Sequence, residues 1–300
     1  MVESDLFWPA LPLDAWQDTY LTLQLWTQVV GKVRMTLSPP LNHWWHATLY
    51  VNARGLTTSA IPHHGGSFEI QFDFVEHILE IRTCEGDVRS MPLKPMPVAE
   101  FYRWVMGQLH SLGIAVAIQT RPQEMANKTP FDQDFEHRSY DREYAHRFWR
   151  ILISTENVME EFRGRFLGKQ SPVHFFWGSF DLACTRFSGR TAPRRPGVIS
   201  GPAYSHEVIS AGFWPGAGFS GPAYYAYAVP KPQGLEREGV RPVAAGWNAQ
   251  LGEFVLMYDD VRSAASPRAA LMDFLQSTYE AGARLAGWDR AALETGGEHK

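Results

Sequence analysis

The sequence predicts an α+β fold of two pseudo-symmetric repeats, packed together, each running helix, antiparallel sheet, helix. Three observations carry this. Apolar residues recur at helical spacing near the start and near the end of each half. The strand-like runs between them are joined by links too short for the crossovers that parallel strands require. Landmarks also recur in one order. "SPPLNHWWHATLYVNARG" from Ser38 matches "SPVHFFWGSFDLACTRFSG" from Ser171, "DVRS" occurs at Asp87 and again at Asp260, and a helix-like segment follows each.

Taken in order, the first half opens with Leu13, Trp16, Tyr20, Leu23, Val30 and Val33 on one helical face, with Asp14 as the expected N-cap. Strands are expected near 45–53, 68–75, 78–84 and 88–91, with a turn at "EGD" from Glu85. "VAEFYRWVMGQLHSLG" closes the half as a helix. The stretch 121–135, with Pro122, Pro130 and few periodic apolar positions, reads as the linker. The repeats are therefore placed at 1–120 and 138–300, with the linker at 121–137. The second half opens with Tyr144, Phe148, Ile151, Thr155, Val158, Phe162 and Phe166, capped by Ser139 or Asp141. Strands are expected near 173–185, 204–212, 223–229, 243–247 and 253–258, before the closing helix "ALMDFLQSTYEAGARLAG".

Bulk properties exclude several classes. Apolar content of 45% and charged content of 20% are those of a folded soluble protein. Aromatics reach 13%, with 11 Trp, which serves a large core or a ligand cavity. The net charge is −4 and the only concentrated basic patch is Arg190, Arg194 and Arg195, which argues against nucleic acid as a partner. No segment approaches the ~20 apolar residues of a membrane span. The acidic start "MVESDLFWPALPLDAW" has no secretory pattern. Cys84 and Cys184 lack a CxxC context, so neither a zinc site nor a disulfide framework is suggested, and a reducing cytoplasm is expected.

The candidate site comes from strand alternation. In the Ser171 stretch, one face holds His174, Phe176, Gly178, Phe180, Leu182 and Cys184 and is almost wholly apolar. The other holds Phe175, Trp177, Ser179, Asp181, Ala183 and Thr185. The matching copy gives His43, Trp45, Ala47, Leu49, Val51 and Ala53 against Trp44, His46, Thr48, Tyr50, Asn52 and Arg54. The mixed faces are those of a pocket between repeats, lined by aromatics with a few placed polar groups. A solvated strand face or an interface is the plainer alternative.

In that pocket His206, His46 and Asp181 are candidate acid/base groups, with Glu207 beside His206 on the opposite strand face. Arg186 or Arg54 is the anion anchor or the partner of Asp181, Trp44, Trp177 and Tyr50 form walls, and Ser179 lies among them. His43 and His174 read as buried imidazoles. On a strand, His43 and His46 of "HWWH" point apart and do not share a metal ion; ligands drawn from His46, His174, His206 and Glu207 form the metal alternative. "HHGG" at His63 reads as a turn. "GAGFSG" from Gly216 fits GxGxxG, but Pro222 follows where a helix should open, so it reads as a glycine-rich loop. No motif indicates a cofactor.

The segments "NHWWHATLYV", "SPVHFFWGSFDLACTRFSGR" and "YSHEVISAGFWPG" resemble those of a bacterial family of uncharacterised proteins known as a domain of unknown function (DUF5996-like). The resemblance runs from "FWPALPLDAW" to "LAGWDRAALE". It implies a stand-alone cytosolic protein and transfers no activity or catalytic residue. The function expected from the residues is small-molecule binding, with an enzyme using His and Asp acid–base groups in an aromatic-lined pocket between repeats. The alternatives are a non-catalytic ligand-binding or sensing module and a metal-dependent enzyme with His/Glu ligands. Substrate and oligomeric state are left open.

Overall fold

A computed structural model describes residues 7–216 and 220–295. The chain divides into two units by its contacts. One holds Leu11–Arg150 with Phe175–Asp181, and the other the described residues of Met1–Ala10, Ile151–His174 and Leu182–Lys300.

In the first unit, helix α1 (Leu13–Leu37) is buried almost all round from Thr22 to Arg34, which makes it a core helix rather than a one-sided surface helix. Its N-cap is Pro12, and the expected cap Asp14 sits instead in the first turn, where its charge faces the helix N-terminus. Six short strands follow: β1 (Tyr50–Asn52), β2 (Gly55–Thr57), β3 (Ile61–His63), β4 (Gly66–Asp73), β5 (Ile78–Thr83) and β6 (Val88–Pro92). Their antiparallel order is β1-β2-β4-β5-β6, with β3 paired to β4. Phe68, Ile70 and Phe72 of β4 and Leu79 and Ile81 of β5 alternate inward, as a half-buried sheet requires. The "HHGG" segment is the two-residue hairpin loop of β3 and β4. His64 at φ 45° and Gly65 at φ 83° supply the two positive angles that match the strand twist. Helix α2 (Val98–Ser111) closes the layer, and its Phe101 stacks on Trp26 of α1 at 4.8 Å and on Phe72 of β4 at 6.0 Å.

The stretch expected as a linker is fastened along α1. Gln28 donates to the Gln123 carbonyl (2.9 Å) and accepts the Gln123 N–H (2.8 Å). Lys32 donates to the carbonyl and the side-chain oxygen of Gln119 (2.9 Å each) and to the Arg121 carbonyl.

Helix α3 (Arg142–Gly164) contains the division between the units. Asp141 caps it, accepting the N–H groups of Glu143 (2.8 Å) and Tyr144 (3.1 Å). Next come β7 (His174–Phe176), β8 (Asp181–Thr191), α4 (Ser200–Ala203), β9 (His206–Trp214), β10 (Ala223–Val229), β11 (Gly246–Asn248) and β12 (Glu253–Met257). This antiparallel sheet runs β11-β12-β10-β9-β8-β7. The short helix α5 (Tyr258–Arg262) leads to α6 (Pro267–Leu285), capped by Ser266 and lying with Gly282 against Ile209 of β9. The last described element is α7 (Arg290–Leu293).

Both halves therefore run helix, six-stranded antiparallel sheet, helix, and the fold is α+β. Two of the matching landmarks nevertheless fall on different elements. "DVRS" lies at β6 in the first half and at α5 in the second. His43 and Trp44 lie on a 3-10 turn (Asn42–Trp44), whereas His174 and Phe175 lie on β7. The strand expected at 45–53 shrinks to β1, and the one expected at 173–185 is broken by a turn before β8. The cause is backbone conformation. His43 (φ 57°), Trp44 (φ 64°) and Phe180 (φ 61°) adopt left-handed angles that bulky residues rarely take, and alternation of side chains carries no sign of it. "GAGFSG" lies partly outside the described residues, since 217–219 are not among them. Among the described residues no helix is long and apolar enough to cross a membrane.

Candidate functional site

A polar seam runs along α1 in the first unit, at positions one helical turn apart. Gln24 donates to the Gly178 carbonyl at 2.7 Å, Gln28 clamps Gln123, and Lys32 holds Gln119 and Arg121. Gly31 gives Trp177 its place: a Cβ there would fall 2.2 Å from the indole Cδ1. The indole N–H donates to the Ala47 carbonyl, fixing the ring from its other side.

Docked in this way, the turn between β7 and β8 brings Asp181, at the start of β8, beside Glu124 of the 121–135 stretch. Asp181 is buried and accepts the Ser179 hydroxyl. Glu124, itself at a left-handed φ of 54°, crowds Gly178, where a Cβ would lie 2.9 Å from its Oε1. Glu124 is an exposed residue, yet partial desolvation of its carboxyl, with the neighbouring Asp181 charge adding to it, shifts that carboxyl above its usual range. Two neighbouring carboxyls, one of them shifted upward, form a general acid–base arrangement.

At the other end of α1 stands a second group. Arg34 is 8% exposed, and its Nη1 donates to the Thr58 carbonyl. Its Nε is buried with no hydrogen-bond partner. The Tyr50 hydroxyl is in hydrogen-bonding reach of the guanidinium, whose Cζ lies 5.4 Å from the Tyr50 ring centroid. His46 is buried, and its Nδ1 accepts the Leu41 N–H at 3.1 Å, which places the proton of the neutral ring on Nε2. Burial holds the His46 pKa below its ordinary value, and the nearby Arg34 charge acts in the same direction. Trp44 stacks on His46 at 5.4 Å.

The sequence candidates are thus sorted differently from the single strand face expected. Trp44, His46 and Tyr50 gather at Arg34, while Trp177, Ser179 and Asp181 gather at Gly31 and Glu124. Arg54 is the ion-pair partner of Asp73. Arg186, Arg190, His206 and Glu207 belong to the other unit. Arg186 is buried among Phe162, Phe166 and Tyr279 with its Nη2 donating to the Phe162 carbonyl, so it serves neither Asp181 nor a solvent-facing anion. Glu207 accepts from Arg190 (2.7 Å) and Ser188 (2.9 Å), an ion pair that removes it from acid–base work. His206 is half-buried, 3.0 Å from the Ser205 hydroxyl. His43 and His174 are both buried. The strand argument that kept His43 and His46 apart does not hold on the 3-10 turn. Still, among the described residues no group of three or more His, Cys, Asp or Glu stands close enough to hold a metal ion.

Sequence reasoning missed Arg34, Lys32 and Glu124. The two cations had a signal: they interrupt the apolar stripe of Val29, Val30 and Val33. Glu124 had none, since only the fold brings it to Gly178.

An α+β chain with a buried polar seam and paired carboxyls is as far as geometry defines the class. The chain belongs to the family of unknown function DUF5996, whose model matches residues 8–295. No curated protein and no solved structure matches the chain.

Proposed function

We propose that this chain is a small-molecule-binding protein of the bacterial cytoplasm, and an enzyme in which Glu124 and Asp181 exchange protons with the bound molecule. The observation supporting this is the Glu124 carboxyl, which stands against Gly178 next to Asp181 and is shifted upward. Glu124 is the acid, and Asp181, oriented by Ser179, is its basic partner. Two free cysteines, Cys84 exposed and Cys184 buried, suit a reducing compartment.

The test is a metabolite screen by thermal shift on the wild type, Asp181→Asn and Glu124→Gln, with turnover followed by NMR. Stabilising compounds are expected to be consumed by the wild type. Asp181→Asn should slow this by about 100-fold or more while keeping the thermal shift. Compounds that bind and are never converted would remove the enzyme reading. They would leave non-catalytic binding, a second reading favoured by the Leu41–His46 bond, which occupies the lone pair a histidine base would need.

A further inference from the structure

Ten residues beyond Gln24, about 15 Å along α1, Arg34 stands as a cation that the carboxyl pair does not use. Removing a guanidinium from water is costly unless its charge and its donors are met. The neighbouring cations have their donors met, and Arg54 its charge as well. Lys32 sends its protons to the oxygens of Gln119 and Arg121, and Arg54 is paired with Asp73. Arg34 has the Thr58 carbonyl and Tyr50, its Nε is orphaned, and among the described residues it forms no ion pair with a carboxylate.

With Nη1 committed to Thr58, the edge that remains is the one bearing Nε, the side-on edge of the fork that matches a carboxylate. Beside it are a hydroxyl on Tyr50 and, on neutral His46, an Nε2–H donor. The local charge is one, which suits a monoanion better than a dianion. Trp44 and Tyr50 are half-buried, so part of each ring meets solvent, and Leu41, whose N–H bonds His46, is 58% exposed. We propose that Arg34, with Tyr50 and His46 beside it, binds the carboxylate of a small monoanion whose flat apolar part lies on Trp44 and Tyr50. This stands independently of the acid–base pair.

The test is isothermal titration of the full chain with sodium benzoate at constant ionic strength. The comparators are benzamide, phenyl phosphate, and a capped tripeptide with a free or an amidated C-terminus. Benzoate is expected to bind, with benzamide and phenyl phosphate each about tenfold weaker or more. Arg34→Met should abolish binding, and Arg34→Lys should weaken it about tenfold by losing the fork. Tyr50→Phe, at a half-buried position that preserves the fold, should weaken it several-fold. Asp181→Asn should leave it unchanged, which separates failure here from failure of the acid–base reading. Equal binding of benzoate and benzamide, no benzoate binding, or tighter phenyl phosphate binding would overturn the proposal. So would tighter binding of the free-carboxylate tripeptide, which would assign the corner to polypeptide ends.

Discussion

Gly31 and Gly107 are both helical glycines, and what stands beside each decides what an alanine does there. At Gly107 of α2 nothing lies within 4 Å of an added Cβ. Gly107→Ala should therefore show only the helix-propensity gain, about 0.5–1 kcal/mol of added stability. At Gly31 the same methyl meets three indole atoms of Trp177 at 2.2, 2.3 and 2.5 Å. The ring is also held by the Ala47 carbonyl, so it has little freedom to give way. Overpacking of this kind costs about 1–3 kcal/mol and outweighs the propensity gain. Urea midpoints should shift in opposite directions for the two variants; a stabilised Gly31→Ala would mean that Trp177 moves aside easily. The aromatic residues themselves were legible in the sequence, because Trp and Tyr at such density stand out. Their neighbours were not. Nothing in "VVGKVRM" says that the glycine is a seat for a ring from a segment more than a hundred positions on.

At the scale of elements, regular periodicity was readable and left-handed turns were not. Strand β10 spans the expected 223–229, and the four long helices lie where apolar spacing put them. Both copies of the Ser-Pro-His motif were read as long strands, and Trp44 and Phe180 bend them, because a positive φ in a bulky residue leaves no trace in hydropathy. The stretch before α3 shows the converse. It lacks a periodic pattern and reads as a linker, yet Gln28 fastens it through both the N–H and the carbonyl of Gln123. Gln28→Leu keeps much of the side-chain volume and leaves those two backbone groups unpaired, at about 1–3 kcal/mol for each buried group. Hydrogen exchange should rise at 119–124 while the middle of α1 stays protected. Unchanged protection at 119–124 would show that Lys32 alone holds the segment.

For the whole molecule, titration should pull the two units in opposite directions. In the first unit, burial lowers the pKa of His46, His77 and His146. An unfolded histidine titrates near 6.5, so below that value the unfolded chain binds more protons, and stability falls as pH falls. Glu124 in the same unit is shifted upward and offsets part of this loss. In the second unit Glu156 on α3 is pushed up to about 7, first by burial and then by Glu160. A raised carboxyl contributes stability that is complete below its unfolded pKa and disappears as pH rises through the folded one, so acidification strengthens this unit. Between about pH 8 and about pH 5.5, protection factors corrected for intrinsic exchange should fall in β4 and β5 and rise in β9 and β10. Glu156→Gln should abolish the rise, and His77→Gln should reduce the fall. A common shift in both sheets would show that the units unfold as one cooperative body, with a single linkage that sums these opposing groups.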